Sequence, residues 1–175
     1  KTRLELHVGR SPYLLDALRE GLIDLAVSTR WDQTLPSIVI RRSPVVWIAS
    51  DHFRLSRVAP VPLILVEGSS IFRRIAVDAL ERVGRRWHEQ FTSNSYAGLR
   101  AGLRAGLGIT ARSIEMLSPE LKTLGEAENL PPLGSINYYL YLNERTSSDL
   151  AKALFHDLAK AFPNVQGAGE ADDQA

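Results

Sequence analysis

A chain of 175 residues is long enough to bury a core and fits one domain or two small lobes. Lys and Arg number 21 against 20 Asp and Glu, a net charge of +1, whereas a chain that grips nucleic acid by itself concentrates positive charge on one face. Cysteine is absent, which excludes a disulfide framework and a thiolate metal site, and no apolar run approaches the ~18 residues that span a bilayer. The chain begins at Lys1, shows no signal-peptide pattern, and reads as a fragment of a longer protein.

Leu4, Leu6 and Val8 alternate with polar residues, the period-two pattern of a half-buried strand. Ser11 as N-cap and Pro12 at the first helical position open a helix whose apolar face is Leu14, Leu15, Leu18 and Leu22, closed by Gly21. Ile23 to Ser28 is a nearly continuous apolar run suited to a buried parallel strand. Ile38 to Ile40 and Val45 to Ala49 read as two further strands, broken at Ser43-Pro44. Leu63 to Val66 is a short apolar strand, and Ile71, Ile75, Ala76, Ala79, Leu80 and Val83 mark one face of the helix that follows.

Trp87 to Phe91 is a strand leading into the organising stretch of the chain, Phe91 to Arg112. Here Asn94 and Ser95 cap a helix in which Ala97, Ala101, Leu103, Ala105 and Leu107 are small or apolar enough to pack closely on a sheet. Gly106 and Gly108 turn the backbone sharply into an extended segment at Ile109 and Thr110. Strand, polar turn, helix, glycine turn and strand make a β–α–β unit, and open α/β sheets bind ligands at such helix mouths. Arg112 to Pro119 holds a helical turn, Leu121 to Leu124 a brief strand, Leu130 to Gly134 a linker, and Ile136 to Leu142 a returning strand. Ser148 or Asp149 caps a last helix with Leu150, Leu154, Leu158 and Phe162 along one face, and the polar residues 164–175 read as a disordered tail.

Alternating strands and helices imply α/β with mainly parallel sheets. Breaks at Ser43-Pro44 and at Pro131 to Gly134 divide the chain into lobe I, residues 1–43 plus 136–163, and lobe II, residues 44–135. Two crossovers make a hinge, with a cleft expected between the lobes.

Five segments in order, LLDALREGLIDLAVST from Leu14, PLILVEGSSIFRR from Pro62, LRAGLGITARSIEM from Leu103, LPPL from Leu130 and the strand Tyr138 to Leu142, resemble the effector-binding domain of LysR-type transcriptional regulators, in the LrhA/HexA-like branch. The resemblance covers nearly all of residues 1–163. It implies two Rossmann-like α/β lobes joined by two crossover strands, similar to type 2 periplasmic binding proteins, with a small-molecule effector held between them. It further implies a bacterial cytoplasmic regulator, self-association as a homodimer or homotetramer, and DNA binding only through a separate N-terminal helix-turn-helix domain. By the same analogy the Ile71 to Val83 helix and the Leu4 to Val8 edge form the subunit interface. The family's domain normally begins with a strand and a helix ahead of the segment matching Leu4 to Val8, so part of the first lobe is expected to be missing.

Candidate ligand residues cluster at the helix mouths. Ser69, Ser70 and Arg73 (with Arg74 beside it) sit at one helix start, where a cation is unfavourable against the helix dipole unless an anion compensates; solvent or pairing with Glu67 is the rival explanation. Ser93, Asn94 and Ser95 form the second mouth, and Thr110 and Arg112 lie on the strand beyond it, with Glu115 as a rival partner for Arg112. Arg10, Ser11, Ser28 and Thr29 face the same cleft from the first lobe by position. An anion, a carboxylate above all, fits this set. Trp31, Trp47 and Trp87 suit core or crossover packing better than stacking platforms.

The four histidines are scattered, without metal-ligand spacing, and no nucleophile elbow, dinucleotide fingerprint or Walker loop occurs, so neither catalysis nor a cofactor or metal is expected. A solute-binding protein of a transporter would share the cleft but be exported, and a small α/β enzyme would need an acid–base pair that the sequence does not supply. The coding frame upstream of Lys1 separates the first two readings: a helix-turn-helix marks a regulator, a cleaved apolar segment a transport receptor.

Overall fold

A computed structural model describes residues 4–68, 70–145 and 147–162. The chain divides into two compact units, one of residues 1–42 with 137–175 and one of residues 43–136. The chain passes from one to the other within two strands, Ser37–Ser50 and Ser135–Leu142.

In the first unit, helix α1 (Ser11–Arg19), strands β1 (Leu25–Ser28) and β2 (Ser37–Ser50), and later β7 (Ser135–Leu142) and helix α4 (Asp149–Ala161) form one sheet with a helix on each face. Strand alternation makes this possible. Ala26, Val39, Tyr139 and Tyr141 meet Leu15 and Leu18 of α1, while Leu140 and Leu142, with Leu25, Ile38 and Ile40, meet Phe155 and Leu158 of α4. Polar clamps finish the unit: Asn143 donates to the α1 carbonyls of Leu18 and Arg19, and the Tyr141 hydroxyl donates to the Arg30 carbonyl while accepting the Asp32 N–H.

Several expectations are corrected here. β1 pairs antiparallel with β7, not in a parallel ladder, because its neighbour is the strand that returns from the second unit. Leu4, Leu6 and Val8 form no strand and are exposed, since no neighbouring strand among the described residues takes their backbone groups. The two strands expected around Ser43-Pro44 are one continuous β2: Pro44 is exposed and falls just before the β5 and β6 registers begin, where its missing N–H costs no ladder bond. The buried face of α4 is Ala151 and Phe155, not Leu150, Leu154 and Phe162, because Phe155 fills the space over Leu140 and Leu142. Leu22, past the end of α1, is likewise exposed. The expected tail, residues 164–175, lies outside the described residues.

The second unit contains β3 (Val61–Val66), α2 (Ile71–Arg82), β4 (Trp87–Ser93), α3 (Tyr96–Arg104), β5 (Thr110–Ser113) and β6 (Leu121–Leu124). β3 and β4 run parallel, and Ile109 continues the parallel pattern on the other side of β3 through Ile109 N–H to the Pro62 carbonyl and Ile64 N–H to the Ile109 carbonyl. β5 and β6 both pair antiparallel with β2. The mainly parallel sheet expected from the alternation is therefore confined to β3, β4 and Ile109, because the long crossover strand supplies the other pairings.

Helix α3 buries Leu99, Gly102 and Leu103 against Ile48, Ile64 and Phe91, leaving the anticipated Ala97, Ala101, Ala105 and Leu107 exposed. The helical period explains the choice: positions 99, 102 and 103 share a face. A Cβ at Gly102 would meet the Phe91 ring at 2.9 Å, and one at Gly108 would meet the Pro62 carbonyl oxygen at 2.3 Å. At Gly108 the obstacle is backbone, held by the Ile109 hydrogen bond, and cannot rotate away. Gly108→Ala is expected to cost about 1–3 kcal/mol, read in urea unfolding as a lower midpoint with an unchanged slope; an unchanged midpoint would contradict this packing.

Candidate functional site

The parallel strands end at two helix mouths that touch. Val66 is in register with Ser93, and the Glu67 N–H donates to the Ser93 carbonyl (3.0 Å), so the turn before α2 lies beside the turn before α3. Ser93 and Ser95 lock the second turn: the Ser95 N–H donates to Ser93 Oγ and that hydroxyl donates to the Ser95 carbonyl, both at 3.2 Å. Ser95 then caps α3, its Oγ accepting the Gly98 N–H at 3.1 Å. Asn94 is exposed between them.

α2 begins differently. Ser70 is its N-cap in extended conformation, yet makes no side-chain cap hydrogen bond, so the Ser70 hydroxyl does not occupy the first-turn N–H groups. Arg112 of β5 sets its guanidinium 4.7 Å from the ring centroid of Phe72, the second residue of α2. A cation stacked on the second residue of an uncapped helix adds charge to a dipole end that already attracts anions. Phe72 escaped the sequence reading because its partner lies 40 positions away and no local pattern links them.

Arg73 points elsewhere: it pairs with Glu89 of β4 at 2.8 Å, not with Glu67. Thr110 opens β5 and is buried. Ser69 lies outside the described residues. In the first unit Arg10 is the N-cap residue of α1 without a side-chain cap bond, and Ser11 is the first helical residue, not the cap. Ser28 is buried and its Oγ accepts the Arg30 N–H (2.9 Å), while Thr29 is half-buried. Ser70, Phe72, Ser93, Ser95 and Arg112 are thus the residues that the second unit assembles at its mouths.

Trp47 is core, donating its indole N–H to the Pro131 carbonyl, and Trp87 is half-buried, but Trp31 is exposed. No group of three or more potential metal ligands occurs among the described residues. A hollow of about 270 Å³ beside α3 is lined by Ser50, Asp51, His52, Arg104 and Glu120. It is closed by charge: Arg104 and Arg100 both donate to Glu120, and with Arg104 as the main cause its carboxyl is pulled down to about 2. His52 donates to Asp51 and holds that carboxyl below its usual value.

A family model described as the LysR substrate binding domain matches residues 1–163. The chain belongs to the LysR substrate binding domain family. This LysR domain is 37% identical over 155 residues to the HTH-type transcriptional regulator PecT of Dickeya dadantii (strain 3937), covering 89% of this chain and 49% of PecT. It spans about half the length of the curated relatives it matches. Its fold is similar to the bromide ion-bound regulatory domain of HypT from Salmonella typhimurium (TM-score 0.67, 22% identity, 86% of this chain and 78% of that one). It is also similar to the CcmR regulatory domain of Synechocystis PCC6803 in complex with 2-PG (TM-score 0.71, 15% identity, 93% and 84%). The transporter alternative gains nothing from these relatives. No described helix is long and apolar enough to cross a membrane.

The Glu120 cluster is expected to respond to acid. Because the folded value lies below the ordinary 4.5, the pairing contributes stability that is present above that pH and is lost as pH falls toward 2. Unfolding followed across that window should show the native chain losing more stability than Glu120→Gln; parallel losses in the two would contradict the assignment.

Proposed function

We propose that the chain is the effector-sensing and oligomerisation domain of a bacterial, cytoplasmic LysR-type transcriptional regulator of the LrhA/HexA-like branch. Its ligand is a small anion, a carboxylate above all, bound where α2 and α3 begin. The observation that carries this reading is the pairing of an α2 N-terminus that Ser70 does not cap through its side chain with an Arg112 guanidinium stacked on Phe72 of the first turn. Backbone N–H groups, the Ser70 hydroxyl and a guanidinium together match a carboxylate's acceptors. The HypT regulatory domain, of similar fold, is a bromide ion-bound structure, which supports an anion as the class of ligand.

In the whole protein, sensing would act by population shift, the anion binding one conformational state more tightly and so favouring it. DNA contact would belong to a separate N-terminal helix-turn-helix domain; PecT is an HTH-type transcriptional regulator. Self-association would use the α2 helix and the exposed Leu4, Leu6 and Val8. Neither a cofactor nor an enzymatic step has a place in this reading.

The roles of the two arginines separate in a carboxylate screen by calorimetry. Arg112→Ala should weaken the best carboxylate about ten-fold or more, the usual scale for a charge-assisted hydrogen bond. Arg73→Ala should change affinity less, since Glu89 already holds that side chain. Undiminished binding in Arg112→Ala would sink the anion proposal.

A further inference from the structure

The end of β4 remote from Ser93 carries a second cationic group that the mouth does not explain. β4 is seven residues long, so its start at Trp87 lies roughly 20 Å from the Ser93 turn. Just before it, α2 closes through Gly84 (φ 64°), with Gly84 N–H donating to the Glu81 carbonyl and Arg85 N–H to the Leu80 carbonyl. This closure folds the Arg85 side chain inward until only 8% of the residue is exposed.

The guanidinium is only partly satisfied there. One Nη donates to the Ser56 carbonyl at 2.7 Å, whereas Nε is buried with no hydrogen-bond partner among the described residues. Removing a guanidinium from water without a carboxylate is costly, and such a group calls for a counter-charge. A helix C-terminus can supply part of one, but the side-chain bond goes to the Ser56 carbonyl in the 51–60 loop, not to a carbonyl of α2.

Arg85 forms part of the wall of an open pocket of about 700 Å³, shared with Arg86, His88, Trp87, Pro60 and Glu81. That volume falls in the range of small-molecule sites. Its lining sets two arginines against Glu81, an excess of one positive charge among these three side chains. A monoanion is matched, and a phosphate dianion would leave excess charge beside Glu81. Trp87, half-buried, and Pro60 line the same pocket and supply apolar and aromatic lining beside these cations.

We propose that this pocket is a second ligand site of the domain, taking a small monocarboxylate with a flat apolar group. Arg85 supplies the buried charge, Arg86 the exposed one, and Trp87 the surface on which the apolar group lies. The site is independent of the α2 mouth.

A titration of the 175-residue chain with benzoate, followed by amide and indole nitrogen–proton NMR, tests it. Expected is a saturable shift of the Trp87 indole and the Arg85 and Arg86 amides, with inorganic phosphate giving a weaker response. Arg86→Gln should weaken benzoate by about two- to five-fold, the range for an exposed charge, and Arg85→Gln by about ten-fold or more. Should Arg85→Gln fail to fold, the native titration and the exposed Arg86→Gln decide the matter alone. Non-saturating Trp87 shifts, shifts confined to the Ser70 and Ser95 mouths, or unchanged affinity in Arg86→Gln would overturn the proposal.

Discussion

The second unit depends on how closely one helix can approach one sheet. α3 lies against β4 and β3 only because positions 98 and 102 carry no side chain: a Cβ at Gly98 would strike Ser93 Oγ and one at Gly102 the Phe91 ring. The same closeness recurs after the helix, where Gly108 lets Ile109 hydrogen-bond to Pro62 and extend the parallel ladder. Ser95 reaches Gly98 N–H, and Ser93 is drawn into the same turn, as part of this one approach. Moving α3 outward would dissolve the second mouth and shift β5, and with it Arg112.

The two mouths differ chemically. The α3 mouth is internally satisfied, its serines bonded to each other and to Gly98. At the α2 mouth Ser70 makes no side-chain cap, and the Arg112 guanidinium lies against the Phe72 ring. A side-chain cap contributes about 1 kcal/mol to a helix, so leaving it out lowers stability unless something else completes the turn. On the proposed reading an anion at α2 would complete that turn, with α3 as its neighbour.

Local chemistry made much of this legible. Pro12, Gly21, Gly84 and Gly106 punctuate the helices as their residue types require, and Ser95 and Ser148 cap where expected. The family resemblance, carried by five ordered segments, is borne out by the match over residues 1–163. What escaped was long-range. Alternation along Leu4, Leu6 and Val8 signals a strand only if a neighbour exists to pair with it. The buried faces of α3 and α4 are not legible locally, because small alanines and exposed leucines carry the same period as the residues that pack. Pairing direction, the Arg73–Glu89 bridge and the Arg112–Phe72 stack all join positions far apart in sequence, where periodicity carries no information.

Bromide is a strong anomalous scatterer and a small anion, so diffraction from bromide-soaked crystals of the domain tests the central claim most directly. The account predicts an anomalous peak within about 3.5 Å of the first-turn N–H groups of α2 and near the Arg112 guanidinium. Peaks only on scattered surface cations, with the α2 mouth empty at saturating bromide, would contradict it.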